Sequence, residues 1–391
     1  MNSDDDIIIT SAFRTPIGSF QGSLKNHKAT ELGTAVVKRC MEHSNLNGSE
    51  IDTVILGQVL QAGCGQNPAR QTAINSGIDI DKTATTINQV CGSGLAAITL
   101  GFSSLKLNDA NIVIAGGQES MTNSPHYLNY RMEENLSEDK LKDTMLIDGL
   151  IDAYDDYHMG VTAENVAEKY QITRNDQDSF AFNSQKKAIK AISENKFKEE
   201  IVPIKLKDQK FFDKDEYPRA DTNLEKLSNL KTVFKKNGTV TAGNASGLND
   251  GAAAVTLMNY KTSKDKGLKP IAKIVSWSQS GVDPKLMGTG PIPASKLALK
   301  KAGWNIKDLD LVESNEAFAA QSIAVIKELG LKEDIVNVNG GAIALGHPIG
   351  ASGARILVTL VHEMQKRKYK KGLATLCIGG GMGISMCVES I

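Results

Sequence analysis

Two local strings occur twice in this chain, in the same order. GSGLAAI at Gly92 parallels GASGARI at Gly350, and IVIAGGQESM at Ile112 parallels LCIGGGMGISM at Leu376. Recurrence in register at this distance implies an internal duplication, and a duplicated chain must fold as two similar bodies. The competing explanation is that glycine turns between strands and helices look alike wherever they occur. At 391 residues the chain is long enough for two or three packed units in either case.

Apolar spacing sharpens this reading. Near the N-terminus Ile7 to Thr10 reads as a strand, and Ala29 to His43 carries apolar residues at helical spacing. Asp52 to Leu60 and Thr83 to Val90 read as buried strands, Gly94 to Leu107 as a helix, and Asn111 to Ala115 as a strand. The C-terminal part repeats the order. Ile271 to Trp277, Asp310 to Val312, Ile335 to Val338 and Leu373 to Ile378 are strand-like, and Ala294 to Ala302, Ala319 to Leu329 and Ser352 to Met364 are helical. Alternation of this kind predicts an α/β fold with parallel-type sheets covered by helices. The middle, from about Glu119 to Asn249, is richer in charge and reads as a long insertion on the first half. Apolar pieces within it, Tyr157 to Met159 and Phe234, predict that part of it folds over a site.

Lysine plus arginine and aspartate plus glutamate number 45 each, so bulk charge offers no case for nucleic acid as a main partner. The five cysteines (Cys40, Cys64, Cys91, Cys377, Cys387) include no CxxC pair, which argues against a structural zinc site. The acidic start MNSDDDIII lacks a basic leader, and no run reaches about 18 apolar residues. A cytoplasmic protein with reduced thiols and no membrane span is expected. There is no GxxxxGK[ST] string and no GxGxxG string in a strand–turn–helix context, so nucleotide hydrolysis and hydride transfer gain little support.

The chemistry-bearing residues lie in the glycine turns. Cys91 follows TTINQV and precedes GSG and a helix. There the helix dipole and free N–H groups are expected to lower the thiol pKa, and the backbone offers an oxyanion donor. The alternative is a buried structural cysteine. His347, in LGHPIG, is a candidate base for a thiol proton, against a hydrogen-bonded core histidine. Cys377 ends an apolar run before GGGMG and offers a second thiol for proton transfer at carbon, or a small buried residue. Asn315, in LVESNEAFAAQ, either polarises a carbonyl or a water or simply caps a helix. Ser246, in TAGNASGLNDGAAA, lies in a small-residue turn that admits an extended ligand or is a tight loop.

Six motifs, taken together, resemble the thiolase family: FRTPIGSF, NQVCGSGLAA, TAGNASGLNDGAA, ESNEAFAAQ, NVNGGAIALGHPIGASGAR and GLATLCIGGGMG, spread over essentially the whole chain. YHMG at Tyr157 to Gly160 is similar to the biosynthetic branch, which makes and breaks acetoacetyl-CoA. The resemblance implies a thiolase fold, two βαβαβαββ halves in five αβαβα layers. It places an N-terminal half at 1–120, an inserted loop domain at 121–249 and a C-terminal half at 250–391. It implies Claisen condensation of two acetyl-CoA to acetoacetyl-CoA plus CoA, and the reverse thiolysis, with no cofactor or metal because the CoA thioesters are substrates. In roles, Cys91 is the acetyl acceptor, His347 its activator and Cys377 the carbon acid/base. Asn315 holds a water that with His347 forms one oxyanion hole, and the N–H groups of Cys91 and Gly379 form the other. For coenzyme A it points to Leu150, His158, Met159, Arg219, Phe234, Ser246, Leu248, Ala317 and Phe318.

A homotetramer, a dimer of dimers, follows from the same resemblance, with its contact on about residues 121–143. Two departures stand out: KTVF before Gly238 replaces an RPAF-like string, and Asp156 stands where a small residue is common. The competing activities are a degradative 3-ketoacyl-CoA thiolase of broader chain length and a decarboxylating ketosynthase. A non-catalytic acyl-CoA-binding protein or a thiol redox sensor is the alternative from outside enzymology.

Overall fold

The computed structural model describes residues 3–132 and 137–391. Its strands bury both faces, which is what fixes the layering. In β1 (Ile7–Arg14), Ile7 and Ile9 enter one apolar core and Ile8 enters another. β4 (Ile112–Ser120) divides in the same way, with Val113 and Ala115 on one side and Ile112 and Ile114 on the other. A period of two with apolar residues at every position is the signature of a sheet covered on both faces.

The first unit also contains β2 (Thr53–Gly57), β3 (Thr83–Ile87) and β5 (Asn249–Asn259). Its strand order is β3-β2-β4-β5-β1; β2 is parallel to β3 and β4, and β5 is antiparallel to β4 and β1. The second unit contains β6 (Ala272–Gly281), β7 (Leu311–Ser314), β8 (Lys371–Ile378) and β9 (Met382–Ser390). Here the order is β7-β8-β9-β6, with β7 parallel to β8 and the other pairs antiparallel. A parallel bridge between Val312 and Val336 occupies the place that β3 holds in the first unit. The two topologies therefore correspond strand for strand, as the repeated strings predict. Pairing of Ile8 with Lys273 and Ile9 with Ala272 joins the units into one sheet system.

The helices complete the layers. α1 (Ala29–His43) and α2 (Pro68–Asn75) cover the outer face of the first unit. α1 forms because Leu32, Val36, Val37, Cys40 and Met41 share one buried stripe, and Glu31 accepts from the Lys28 N–H at its start. α6 (Pro291–Ala302) and α7 (Ala319–Leu329) cover the outer face of the second unit. Between the sheets lie α3 (Ser93–Lys106) and α8 (Ser352–Arg367), whose Leu95, Ile98, Ile356 and Leu357 fill the central core. The two cross at glycines. A Cβ on Gly94 would stand 2.8 Å from Ala354 N, and one on Gly353 would stand 2.5 Å from Leu95 N. The close approach brings the N-terminal turns of both helices to one place.

Residues 121–248 leave the first unit between β4 and β5, where the second unit has only the turn 379–381. The insertion contains α4 (Met159–Lys169) and α5 (Arg174–Ser193). Fully buried Arg14 ties it to β1, donating to Glu200 at 2.6 Å and to both Asp215 oxygens at 2.8 and 3.0 Å. Such a pair is costly to break from one side, because the remaining charge stays buried.

Several strand expectations need correction. Thr83–Val90 is not a buried strand: only Thr83–Ile87 is regular, it forms the sheet edge, and Thr83 and Thr85 are exposed. Its threonines suit an edge, and Asn88 onward bends into a turn. Ile335–Val338 is reduced to the bridge at Val336, since a 3-10 turn occupies Glu333–Ile335. The strand that starts at Asn249, beside the expected start of the C-terminal half at 250, pairs with β4 and β1.

Candidate active site

Between β3 and α3 the chain makes a tight elbow. Val90 sits at φ 45°, an unusual conformation for a β-branched residue, costing of order 1–3 kcal/mol. Its neighbours hold it there: Asn88 Oδ1 accepts from the Val90 N–H at 2.9 Å, while Ser93 Oγ accepts from the Gln89 N–H at 2.8 Å and donates to the Val90 carbonyl at 2.6 Å. The elbow presents Cys91, half-buried, to a cleft. The backbone N–H groups of Gly379 and of Cys91 itself lie close enough to its sulfur to favour the thiolate. Burial nonetheless pushes the thiol up to about 11, and the nearby Glu119 adds to the rise. The expected lowering is therefore overturned: two N–H groups at a helix start do not offset the loss of water.

His347 faces the same cleft from the turn before α8. Its N–H donates to Asn249 Oδ1 at 2.9 Å, and its Nδ1 lies 2.6 Å from Ser352 Oγ. The Ser352 hydroxyl already donates to the Pro348 carbonyl at 2.9 Å. Its oxygen must therefore accept from Nδ1–H, which leaves Nε2 with a free lone pair. Nε2 has no protein partner. Burial, and then the charge of Arg355, lower the imidazole pKa to about 3, so the ring is a neutral acceptor. A neutral ring with an open Nε2 can accept a proton, which a satisfied core histidine cannot.

Cys377, at the end of β8, is fully buried among Met159, Ala245, Met287, Ala317 and Phe318. Burial drives its thiol well above the ordinary range, and the neighbouring Cys91 adds to this. Asn315 does not cap a helix, because the N-cap of α7 is Phe318 and no side chain caps it. Both polar atoms of the Asn315 amide are buried without a protein partner. Its backbone N–H is held by the Thr375 carbonyl at 2.9 Å, and adjacent Glu316 accepts from Ser184, Asn337 and Ile343 at 2.6 to 3.2 Å. A partnerless amide on so rigid a mount is completed by water or by ligand.

The cleft measures about 350 Å³. All nine residues expected to meet coenzyme A line it: Leu150, His158, Met159, Arg219, Phe234, Ser246, Leu248, Ala317 and Phe318. Cys91, His347 and Gly379 line it too, whereas Cys377 and Asn315 are fully buried and are not among its lining residues. His158 starts α4, its Nδ1 accepting from the Gly160 N–H at 3.0 Å. Its ring stacks on Phe234 at 4.5 Å, and Phe234 meets Phe318 edge-on at 6.3 Å. Burial lowers the His158 pKa, so this wall is neutral and aromatic. Ser246 donates its N–H to the Ala317 carbonyl at 3.0 Å. Arg219 is exposed, with its guanidinium 5.3 Å from the Tyr217 ring.

Sequence reasoning missed Tyr217, Met121, Met287 and Ile349 in the lining. Ile349 was within reach, since it stands inside the GHPIG string. Met121 closes the repeated string IVIAGGQESM, whereas Tyr217 and Met287 come from separate segments outside the motifs. Of the two departures, Val233 of KTVF reaches the cleft rim and is 60% exposed. Asp156 takes φ 55° in a turn closed onto the Asp152 carbonyl at 3.1 Å, a left-handed position that Asp tolerates, and it does not line the cleft. Among the described residues no group of three or more His, Cys, Asp or Glu is placed to hold a metal ion, and no helix is long and apolar enough to cross a membrane. All five cysteines are free.

Known proteins carry the same pattern. The family model described as thiolase, N-terminal domain, matches residues 7–261, and that described as thiolase, C-terminal domain, matches residues 268–390. The chain is 55% identical over 392 residues to an acetyl-CoA acetyltransferase of Rhizobium meliloti (strain 1021), covering 100% of both. It is 56% identical over 385 residues to one from Paracoccus denitrificans, covering 98% of both. A crystal structure of the Bacillus anthracis acetyl-CoA acetyltransferase superposes with a TM-score of 0.96 at 45% identity, covering 99% of each chain. That of human mitochondrial 3-ketoacyl-CoA thiolase gives 0.95 at 42%, covering 98% of each.

Proposed function

The chain belongs to the thiolase family, and from that premise we propose that it is an acyltransferase joining two acetyl-CoA into acetoacetyl-CoA plus CoA, and reversing that reaction by thiolysis. The observation that carries this is one cleft shared by a thiol under two N–H donors and an imidazole with a bare Nε2, with a second, buried thiol beside the first.

In the first half-reaction Cys91 Sγ bonds to the thioester carbon. Its proton passes to His347 Nε2, and CoA leaves with the proton of Cys377, which is left a thiolate. The N–H groups of Cys91 and Gly379 receive the carbonyl oxygen as it gains charge, each donor contributing several kcal/mol in a dry site. In the second, the methyl of a new acetyl-CoA loses a proton, a carbon–carbon bond forms and the acetyl–Cys91 bond breaks. The Cys377 thiolate takes that proton, and His347 returns its own to the departing Cys91 sulfur. An α-proton of a thioester is barely acidic, so a thiolate made strongly basic by burial is matched to it. Asn315 and His347 Nε2, both partnerless, would hold the water that stabilises the enolate oxygen. No cofactor beyond the CoA thioesters is needed. Leu150, Ser246, Leu248 and Ala317 would flank the pantetheine arm, and Arg219 would meet the nucleotide end.

Intact mass after exposure to acetyl-CoA tests the reading: about 42 Da should appear at Cys91. Cys91→Ala should show no adduct and lose at least about 10³-fold in thiolysis. Absence of any adduct on folded wild-type protein would point to a binding protein instead. The likeness to a 3-ketoacyl-CoA thiolase supports a second reading of broader chain length. His158 stacked on Phe234 narrows the cleft against it, so kcat/KM should favour acetoacetyl-CoA over 3-ketohexadecanoyl-CoA by at least about tenfold.

A cytoplasmic homotetramer is the assembly that goes with this reading. Its support is the arm at 121–143, where a short hairpin pairs His126–Tyr127 with Lys142–Asp143 and Tyr130 and Met132 are 69% and 78% exposed. Residues 133–136 of that arm lie outside the described residues.

A further inference from the structure

Glu119 is fully buried near the end of β4, and no step above uses it. Its carboxylate accepts three backbone N–H groups from two separate segments. Oε2 takes Val59 at 3.0 Å and Gly350 at 2.9 Å, and Oε1 takes Leu60 at 3.2 Å. Val59 and Leu60 belong to an apolar cluster with Met121, Met145 and Ile349, against which Cys91 packs. Gly350 closes the turn that begins with His347. That turn is pressed onto the carboxylate: a Cβ at 350 would lie 2.6 Å from Glu119 Oε2 and 2.9 Å from Gln58 Cα. The Leu60 side is braced from behind, since Gln58 Nε2 donates to the Leu60 carbonyl and Gln118 Nε2 to Gln58 Oε1, both at 2.9 Å.

The residue type follows from the donor set. Three N–H groups converge on two oxygens, and a carboxylate brings no competing donor. An amide would set its own N–H against one of them, and an apolar side chain would leave all three unpaired. We propose that Glu119 is a positioning residue of this site, clamping the turn that carries His347 to the wall of the acyl pocket and so setting the imidazole relative to Cys91. This rests on the thiolase reading above. Asp250 on β5 interacts with the carboxylate as a like charge, and the thiols of Cys64 and Cys91 lie within its field. Burial raises the Glu119 carboxyl to about 7, so the clamp is strongest in alkali.

The test is Glu119→Gln in the full-length enzyme. We expect kcat for acetoacetyl-CoA thiolysis to fall about 10- to 100-fold with KM within about threefold, as for a base displaced by a fraction of an ångström. The pH midpoint of Cys91 alkylation by iodoacetamide should move down, because a negative charge beside the thiol has gone. A merely structural residue would change yield or melting temperature and leave kcat of the folded variant in place. Should the variant not fold, hydrogen exchange of the wild type at pH 6 and 9 decides. Corrected for intrinsic rate, the amides of Val59, Leu60 and Gly350 should lose protection together at pH 6. Wild-type kcat with an unmoved midpoint, or protection at the three amides that does not change with pH, overturns the proposal. A wild type that cannot cleave acetoacetyl-CoA would instead sink the thiolase reading and leave the exchange result standing.

Discussion

Asn315 and His347 pose the same question: each has buried polar atoms that no protein group satisfies. A fold does not leave such atoms dry without cost, roughly 1–3 kcal/mol each. They are affordable where a water or substrate oxygen supplies the missing partner. Asn315→Ala should therefore cost about 10²- to 10³-fold in kcat while leaving the acetyl–Cys91 adduct detectable by mass. Loss of the adduct along with turnover would move Asn315 into the first half-reaction. The identity of these residues was legible in the motifs, but their electrostatics were not. Cys91 stands where a helix start should favour a thiolate, yet the surrounding side chains remove more solvation than two N–H groups return. That balance depends on which distant segments close over the elbow.

The elements show a similar divide. α1 and α7 run as their apolar spacing predicts, Ala29–His43 and Ala319–Leu329, because a buried stripe specifies a helix locally. The edge position of β3 and the reduction of Ile335–Val338 to one bridge are decided by which strands remain to pair with, and no window of sequence contains that. Least legible is the elbow itself, since nothing about a valine announces φ 45°. Val90→Gly should relieve the strain and stabilise the enzyme by about 1 kcal/mol in urea unfolding. It should also lower kcat, as the nucleophile loses its fixed aim. A variant that is less stable than wild type would show that the Val90 side chain holds the elbow more strongly than its backbone resists it.

Across the whole molecule, buried titratable groups set how stability follows pH. His347 is held neutral to about pH 3, whereas an unfolded histidine takes a proton below about 6.5, so stability falls as pH drops through that window. Glu119 and Glu313 act oppositely. Burial raises them from 4.5 to about 7 and about 8, the native state holds protons that the unfolded chain has released, and stability falls as pH rises from 4.5 to 8. Urea midpoints should be higher at pH 6 than at pH 8, and the reverse order would show that these carboxyls ionise freely in the native fold.

At the same scale the two units differ chiefly at one junction: 379–381 turns tightly in the second, and 121–248 departs from the equivalent place in the first. The β4–β5 pairing runs without a register shift up to the insertion, as the β8–β9 pairing does up to its turn. The insertion can be regarded as a cassette that supplies much of the cleft's lining, while the thiols and the imidazole stay in the framework that receives it.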